Sequence, residues 1–314
     1  MKIPGMASVR AGGKLWTVGR NRLRERMVEG AENGGGATAE APFRLVEAPA
    51  PGRFVFASPH SGAVYPADME AAPDLSGPSL RSAEDALVDR LIAPGTAGGA
   101  GLLLGRIGRA YVDLNRDADD LDPALIEGLE GRAPSPRAAA GYGVVPRLTG
   151  DGRPLYGRRL GLQEARARLT AVHAPYHEAL ARMMHEAKAR CGEAVLVDWH
   201  SMPSRAAGGA RGPDVVLGDR HGSSCAAALT RRLRRSFEAL GWRVALNQPY
   251  SGGWTTQTWG RPDAGFHAVQ VELNRALYLD EATGRPGRGW PRCAAGVERV
   301  IAELLTDPTA YGGA

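Results

Sequence analysis

From Phe43 onward the chain alternates between short apolar runs and longer segments with helical spacing. Arg53-Phe-Val-Phe-Ala57 reads as a buried strand that ends at Ser58-Pro59-His60. Over residues 84–92, Leu87, Val88 and Leu91 have helical spacing and precede a Pro94-Gly95 stop. Residues 102–104 and 111–114 are strand candidates on either side of a Gly- and Arg-rich turn. Residues 162–189 carry the strongest helical pattern, which Pro175 should kink or split because it lacks an amide donor. Ala194-Val-Leu-Val-Asp198 is a continuous apolar strand of the kind buried on both faces. The pattern continues with a helix over 224–240, a strand over 242–246, a period-two strand over 267–273 and a helix over 291–305. Strands alternating with helices predict an α/β protein with three layers, α/β/α, around a largely parallel sheet.

Two segments stand outside that pattern. Residues 1–42 hold Arg-rich and Gly-rich stretches without sustained periodicity, so a poorly ordered extension, or a start assigned too early, is expected there. The folded domain is then 43–314. Residues 134–159 are rich in Gly, Pro and Arg and too long for a plain connection, which suggests a lid or binding loop.

Composition narrows the class of protein. Apolar content of 43% and charged content of 23% over 314 residues are ordinary for a soluble globular chain. The three cysteines, Cys191, Cys225 and Cys293, form no CxxC pair, which excludes a disulfide framework or zinc ribbon and fits a reducing compartment. No apolar run approaches the ~20 residues of a membrane span, and the N-terminus lacks the apolar stretch of a signal peptide. A cytoplasmic location is therefore expected. The net charge of +5 is mostly arginine, densest at Arg20 to Arg26 and Arg231 to Arg235. The second cluster lies on an amphipathic helix without interleaved aromatics and reads as a solvated face, not a nucleic-acid surface. Neither a nucleic-acid nor a membrane partner is expected.

Polar residues gather where apolar strands end: Ser58-Pro59-His60, Asp113-Leu114-Asn115-Arg116, Asp198-Trp199-His200-Ser201 and Glu272-Leu273-Asn274-Arg275. In open α/β sheets such ends surround the ligand crevice. His60 and His200 at matching strand ends suit a Zn²⁺ ion, whose catalytic sites usually take three protein ligands. Asp85 is the chosen third ligand, with Glu84 beside it as the alternative. Asp198, two residues before His200 on one strand face, can anchor the ligand region or accept a hydrogen bond there. Glu272 lies on a polar stripe with Gln270 and Asn274, opposite Val269, Val271 and Leu273. A central strand has no solvent face, so this carboxylate is the candidate general base. Arg116, directly after Asn115, suits an acidic substrate, and Arg109 suits a developing oxyanion. Tyr250 belongs to a loop that closes over substrate or simply turns. His173, His177 and His185 share one helix without the Glu of a His-Glu-x-x-His zinc motif and read as packing or surface residues.

Together, Ser58-Pro-His-Ser-Gly62 with Tyr65-Pro66, Glu84-Asp85, Gly108-Arg-Ala-Tyr-Val-Asp-Leu-Asn-Arg116, Asp198-Trp-His-Ser201, Pro249-Tyr-Ser-Gly-Gly253 and Gln270-Val-Glu-Leu-Asn-Arg275 resemble the N-formylglutamate amidohydrolase family. The resemblance covers about residues 50 to 305. That family is related to zinc carboxypeptidases and aspartoacylase, so the resemblance implies a zinc-carboxypeptidase-like α/β/α fold with a mixed central sheet and one catalytic Zn²⁺. It also implies that Asn115 and Arg116 hold a substrate carboxylate, that Arg109 steadies the oxyanion, that His200 is a ligand and that Glu272 is catalytic. The wider superfamily pairs its first histidine with a glutamate three residues on, whereas position 63 is Ala, so the carboxylate ligand must come from elsewhere. The implied activity is hydrolysis of N-formyl-L-glutamate to formate and L-glutamate. A zinc-dependent deacylase or carboxypeptidase acting on another N-acyl amino acid or a small peptide is the alternative, and a non-catalytic metal- or ligand-binding homologue is the alternative from a different class.

Overall fold

The computed structural model describes residues 41–306 except 130, 132, 210 and 211, together with Tyr311 and the stretches 7–11 and 14–18. Strands β1 (Ala7–Ala11) and β2 (Lys14–Val18) pair antiparallel, where the sequence pattern predicts no element. The rest of the expected poorly ordered segment, with the Arg20 to Arg26 cluster, lies outside the described residues.

Residues 42–314 form a separate compact unit built on one sheet. Its strands are β3 (Phe43–Val46), β4 (Phe54–Ser58), β5 (Gly101–Gly105), β6 (Ala194–Met202), β7 (Val215–Gly218), β8 (Val244–Leu246) and β9 (Phe266–Asn274), in the order β3-β5-β4-β6-β9-β7-β8. Strands β5, β4, β6 and β9 run parallel, while β3 pairs antiparallel with β5 and β7 antiparallel with β9. The sheet is therefore mixed. The sequence reading misses β3 and β7, because a run of only four residues shows no period that separates strand from loop.

The helices among the described residues are α1 (Gly77–Leu80), α2 (Val88–Ile92), α3 (Pro136–Ala139), α4 (Leu162–Arg168), α5 (Ala174–Cys191), α6 (Ala227–Glu238), α7 (Trp254–Trp259) and α8 (Trp290–Leu305). Alternation along the strands splits the core in two. Val55, Ala57, Leu103, Leu196 and Ala268 belong to the core that includes Ala179, Leu180 and Met184 of α5. Phe54, Phe56, Leu102, Val195, Val197, Val269 and Val271 share the other with Leu91 of α2, Leu229 of α6 and Val300 of α8. Each Val, Leu, Met or Phe among them contributes about 1.5–3 kcal/mol of burial, so both helical layers are needed to cover the sheet. On α6, Leu229, Leu233 and Phe237 are buried while Arg231, Arg234 and Arg235 are exposed, the solvated face expected of that cluster.

Three departures from the sequence reading bear on the site. Residues 111–114 are buried but form no strand. The Asp113 amide instead donates to the Val144 carbonyl at 2.8 Å, and this apolar stretch packs beneath the 134–159 loop. The 84–92 segment becomes helical only at Val88, because Leu87 adopts a left-handed φ of 67° that frees residues 84–86 as a turn. The long helix passes through a π-helical turn at Leu169–His173 before Pro175. Widening the turn there absorbs the missing Pro175 donor without ending the helix.

Gly62 shows how closely the loop after β4 meets its neighbour. A Cβ at this position would lie 2.4 Å from the Ile107 carbonyl oxygen and 2.5 Å from the Arg106 carbonyl carbon. The neighbouring Val64 amide donates to Arg106 O at 3.0 Å, so neither backbone can withdraw cheaply. Gly62→Ala is expected to lower stability by about 1–3 kcal/mol, read as a shift in the urea midpoint at unchanged slope.

Candidate active site

Strands β4, β6 and β9 end side by side, and the polar residues collect beyond their carboxyl ends around a cleft of about 380 Å³. The β6–β9 register sets Asp198 opposite Gln270 and His200 opposite Glu272. All four are buried and alternate with Val197, Trp199, Val271 and Leu273, which belong to the second core. His60, two residues past β4, is only 1% exposed. Its carbonyl accepts the Asp85 amide at 2.9 Å, which presses the 84–86 turn against the strand end.

These elements bring His60, Asp85 and His200 together. Asp85 Oδ2 lies 3.0 Å from His200 Nδ1 and 3.3 Å from His60 Nδ1, and the two Nδ1 atoms are 3.1 Å apart. The far side of each imidazole faces a carboxylate: His60 Nε2 is 2.7 Å from Asp113 Oδ1, and His200 Nε2 is 3.0 Å from Asp198 Oδ2. Burial works against an ionised Asp113, but Arg109, Arg116 and His60 hold it well below the usual carboxylate range. An ionised carboxylate only accepts, so a proton on each imidazole belongs first at Nε2, and in the neutral form each ring turns its Nδ1 lone pair inward.

Two nitrogen lone pairs and a carboxylate oxygen thus converge in a buried space, an arrangement that calls for a positive charge. Burial opposes charge on His200, yet Asp198, Asp85 and Glu272 raise its pKa well above the ordinary imidazole value. The separations of 3.0–3.3 Å also match the edge of a tetrahedron with bonds of about 2.0 Å. The residues fit a metal ion. The other oxygen of Asp85 accepts from Ser201 Oγ at 3.2 Å and Arg275 Nη2 at 3.3 Å, so the aspartate is oriented from behind. Glu84 turns elsewhere, accepting from the Tyr65 hydroxyl at 2.7 Å and from Arg81.

Glu272 borders this centre. Burial, reinforced by Asp85 and opposed by His200, pushes its carboxyl up to about 7. Gln270 Nε2 donates to Glu272 Oε1 at 2.7 Å, while Gln270 Oε1 accepts the Gly253 amide at 2.8 Å. One glutamine therefore orients the carboxylate and ties the 249–253 loop to β9. Tyr250 of that loop lines the cleft, and burial followed by the Glu272 charge raises its phenol.

The remaining sequence-selected residues surround the same space. Arg109 donates from Nε to Asp113 Oδ2 at 2.9 Å and lines the cleft. Arg116 donates to the carbonyls of Tyr142 at 3.0 Å and Asn115 at 2.8 Å. Its Nη2 stands 3.6 Å from Asp113. Asn115 Nδ2 donates to Asp198 Oδ2 at 3.4 Å and its Oδ1 accepts the Thr255 amide at 3.0 Å, so much of this amide is committed to the protein. Among the histidines of the long helix, His173 and His177 contact the carbonyls of Arg116 and Leu114, each at 2.9 Å, and so brace the 113–116 segment. His185 packs edge-on to Trp259 and Phe266. The 134–159 loop forms a wall of the cleft through Pro136, Arg137, Ala140, Tyr142, Pro146 and Leu148.

Sequence reasoning misses Arg275, Ser201, Gln270 and the contact of Asp113 with His60. Each adjoins a selected residue in a quoted motif, but only the packed geometry shows whom it touches. Asp198→Asn tests the support of His200. Replacing the charged acceptor of Nε2–H by a neutral amide is expected to weaken metal binding about 10–100-fold, measured by competition with a chromogenic chelator.

A family model described as N-formylglutamate amidohydrolase matches residues 52–279. An N-formylglutamate deformylase of Pseudomonas aeruginosa is 35% identical over 219 residues, which cover 68% of this chain and 77% of that one. Its Pseudomonas putida counterpart is 32% identical over 219 residues, 68% of this chain and 76% of that one. A crystal structure of N-formylglutamate amidohydrolase from Ralstonia eutropha JMP134 superposes with a TM-score of 0.79 at 33% identity, covering 84% of this chain and 97% of that one. With the buried carboxylate and the His-Asp-His centre in place, these similarities establish that the chain belongs to the N-formylglutamate amidohydrolase family.

Proposed function

We propose that the protein is a metal-dependent amidohydrolase that converts N-formyl-L-glutamate to formate and L-glutamate, with zinc held by His60, Asp85 and His200. The observation that carries this reading is the convergence of three acceptor atoms next to a buried glutamate. When bound, the ion supplies Lewis acidity at the formyl oxygen and makes a water easier to deprotonate.

The chain's own residues supply the rest. Glu272 Oε1 is engaged by Gln270, which leaves Oε2 to take a proton from the attacking water as the new C–O bond forms. Arg109 faces the negative oxygen that develops on the formyl carbon, and its contact with Asp113 keeps the guanidinium in place. Glu272 then returns its proton to the amide nitrogen as the C–N bond breaks, giving formate and the free amino group. Arg116 supplies positive charge for a substrate carboxylate, and Tyr250 closes the outer wall.

Turnover of N-formyl-, N-acetyl- and N-succinyl-amino acids by the zinc-loaded protein tests the assignment. N-formyl-L-glutamate is expected to have the highest kcat/KM. Higher efficiency with an acetyl or succinyl substrate would transfer the activity to that acyl group, and no turnover of any substrate would reject catalysis.

A further inference from the structure

The cleft contains one arginine with no task in the chemistry described so far. Arg137, on the short helix α3 in the 134–159 wall, is exposed and lines the cleft. Among the described residues its guanidinium has no carboxylate or carbonyl partner. The other cleft arginines are committed: Arg109 to Asp113, Arg275 to Asp85 and Ser201, and Arg116 in part to two carbonyls. Arg137 therefore keeps all its donors for a ligand.

Its position is set by the same peptide groups that hold Arg116. The Tyr142 amide donates to the Arg137 carbonyl at 2.9 Å, while the Tyr142 carbonyl accepts from Arg116 Nε at 3.0 Å. Ser135 Oγ caps α3 by accepting the Ala138 amide at 3.1 Å. The Arg137 charge also reaches Arg116, where it adds to the effect of burial in lowering that guanidinium's pKa. Two mutually repelling cations facing one cleft suit a ligand with two negative charges. Arg116 is 7% exposed whereas Arg137 is exposed, so one charge is met deep and the other near the mouth.

We propose that Arg137 is a specificity-determining residue that binds the side-chain carboxylate of the substrate, while Arg116 meets the α-carboxylate, so that the site selects N-acyl amino dicarboxylates. This rests on the amidohydrolase reading for its substrate, but the pairing of two arginines with two carboxylates stands on its own. An α-carboxylate lies close to the scissile amide, and the γ-carboxylate lies farther along the chain, in keeping with the deep and outer arginines.

The test compares wild type, Arg137→Ala and Arg137→Lys with N-formyl-L-glutamate, its γ-amide N-formyl-L-glutamine and its α-amide N-formyl-L-isoglutamine. Arg137→Ala is expected to lower kcat/KM for N-formyl-L-glutamate about tenfold to hundredfold, mainly through KM, and to change the γ-amide less than about threefold. The penalty for losing the α-carboxylate is expected to persist in the variant, and Lys is expected to restore part of the loss. Calorimetric titration of each protein with L-glutamate and L-glutamine reads the same preference without turnover. If wild type prefers glutamate in that titration and Arg137→Ala removes the preference, the inference holds even where deformylation fails, and only the assigned reaction falls. Equal losses for glutamate and its γ-amide, an unchanged preference in Arg137→Ala, or no preference in wild type would overturn it.

Discussion

Replacing Glu272 by glutamine is expected to reduce kcat by about 10²–10⁴-fold while zinc content and fold stay unchanged. The substitution preserves shape and removes only the capacity to accept and return a proton. Gln270 can still donate to the oxygen of the new amide, as it does to Glu272 Oε1 at 2.7 Å, so the side chain keeps its orientation. The carboxylate lies across the register from His200 without joining the three atoms that converge on the metal position, so metal stoichiometry should not change. Metal analysis and steady-state kinetics on one preparation check both halves. Near-normal turnover would remove Glu272 from proton transfer, and loss of zinc together with activity would instead make it a metal-site residue.

A comparable loss is expected from Asp85→Ala, by a different route. Without this carboxylate the centre keeps two imidazoles and loses the negative charge that balances a divalent cation. Zinc content should fall from one per chain to nearly none, with activity at background. Chelation should do the same to wild type, and added Zn²⁺ should restore it. Because the three ligand atoms converge only in the folded chain, removal of the metal should also lower the melting temperature. Saturation at about 1,000 times Kd corresponds to about 4 kcal/mol. The variant should melt no higher than chelated wild type, because it also lacks the contacts of Asp85 with Ser201 and Arg275, and should show no further shift on chelation. A fully active, metal-free wild type would reject the metal-dependent mechanism. A variant that retains one zinc would shift the ligand role to another carboxylate. Glu84 does not fill that role in this geometry, because Tyr65 and Arg81 engage its carboxylate.

Among the described residues no helix is long and apolar enough to cross a membrane. That agrees with the apolar pattern, in which the longest helices bury only one face against the sheet.

Much of the architecture was legible before any coordinates. Strands β4, β6 and β9 announce themselves because each is buried on both faces and so reads as a continuous or alternating apolar run. The same strands carry His60, His200 and Glu272 at or near their ends, so three parts of the candidate site followed from chain order and period alone. Strands β3 and β7 did not, being too short to show a period. Their antiparallel pairing makes the sheet mixed, as the family resemblance implies and the apolar pattern alone does not.

What the residues by themselves determined is the inventory: two imidazoles, a buried glutamate and clustered arginines at the ends of apolar strands. Tertiary structure alone decided the partnerships. The placement of Asp85, already favoured over Glu84 in the sequence reading, beside His60 and His200 rests on the left-handed Leu87 and the hydrogen bond from the Asp85 amide to His60, neither of which has a sequence period. The roles of Asp113, Arg275 and Gln270, and the presentation of Arg137 to the cleft, depend on contacts between residues distant along the chain. Local pattern reports which face a side chain takes relative to its own element, whereas chemistry at a site depends on distances between elements, and those exist only after packing.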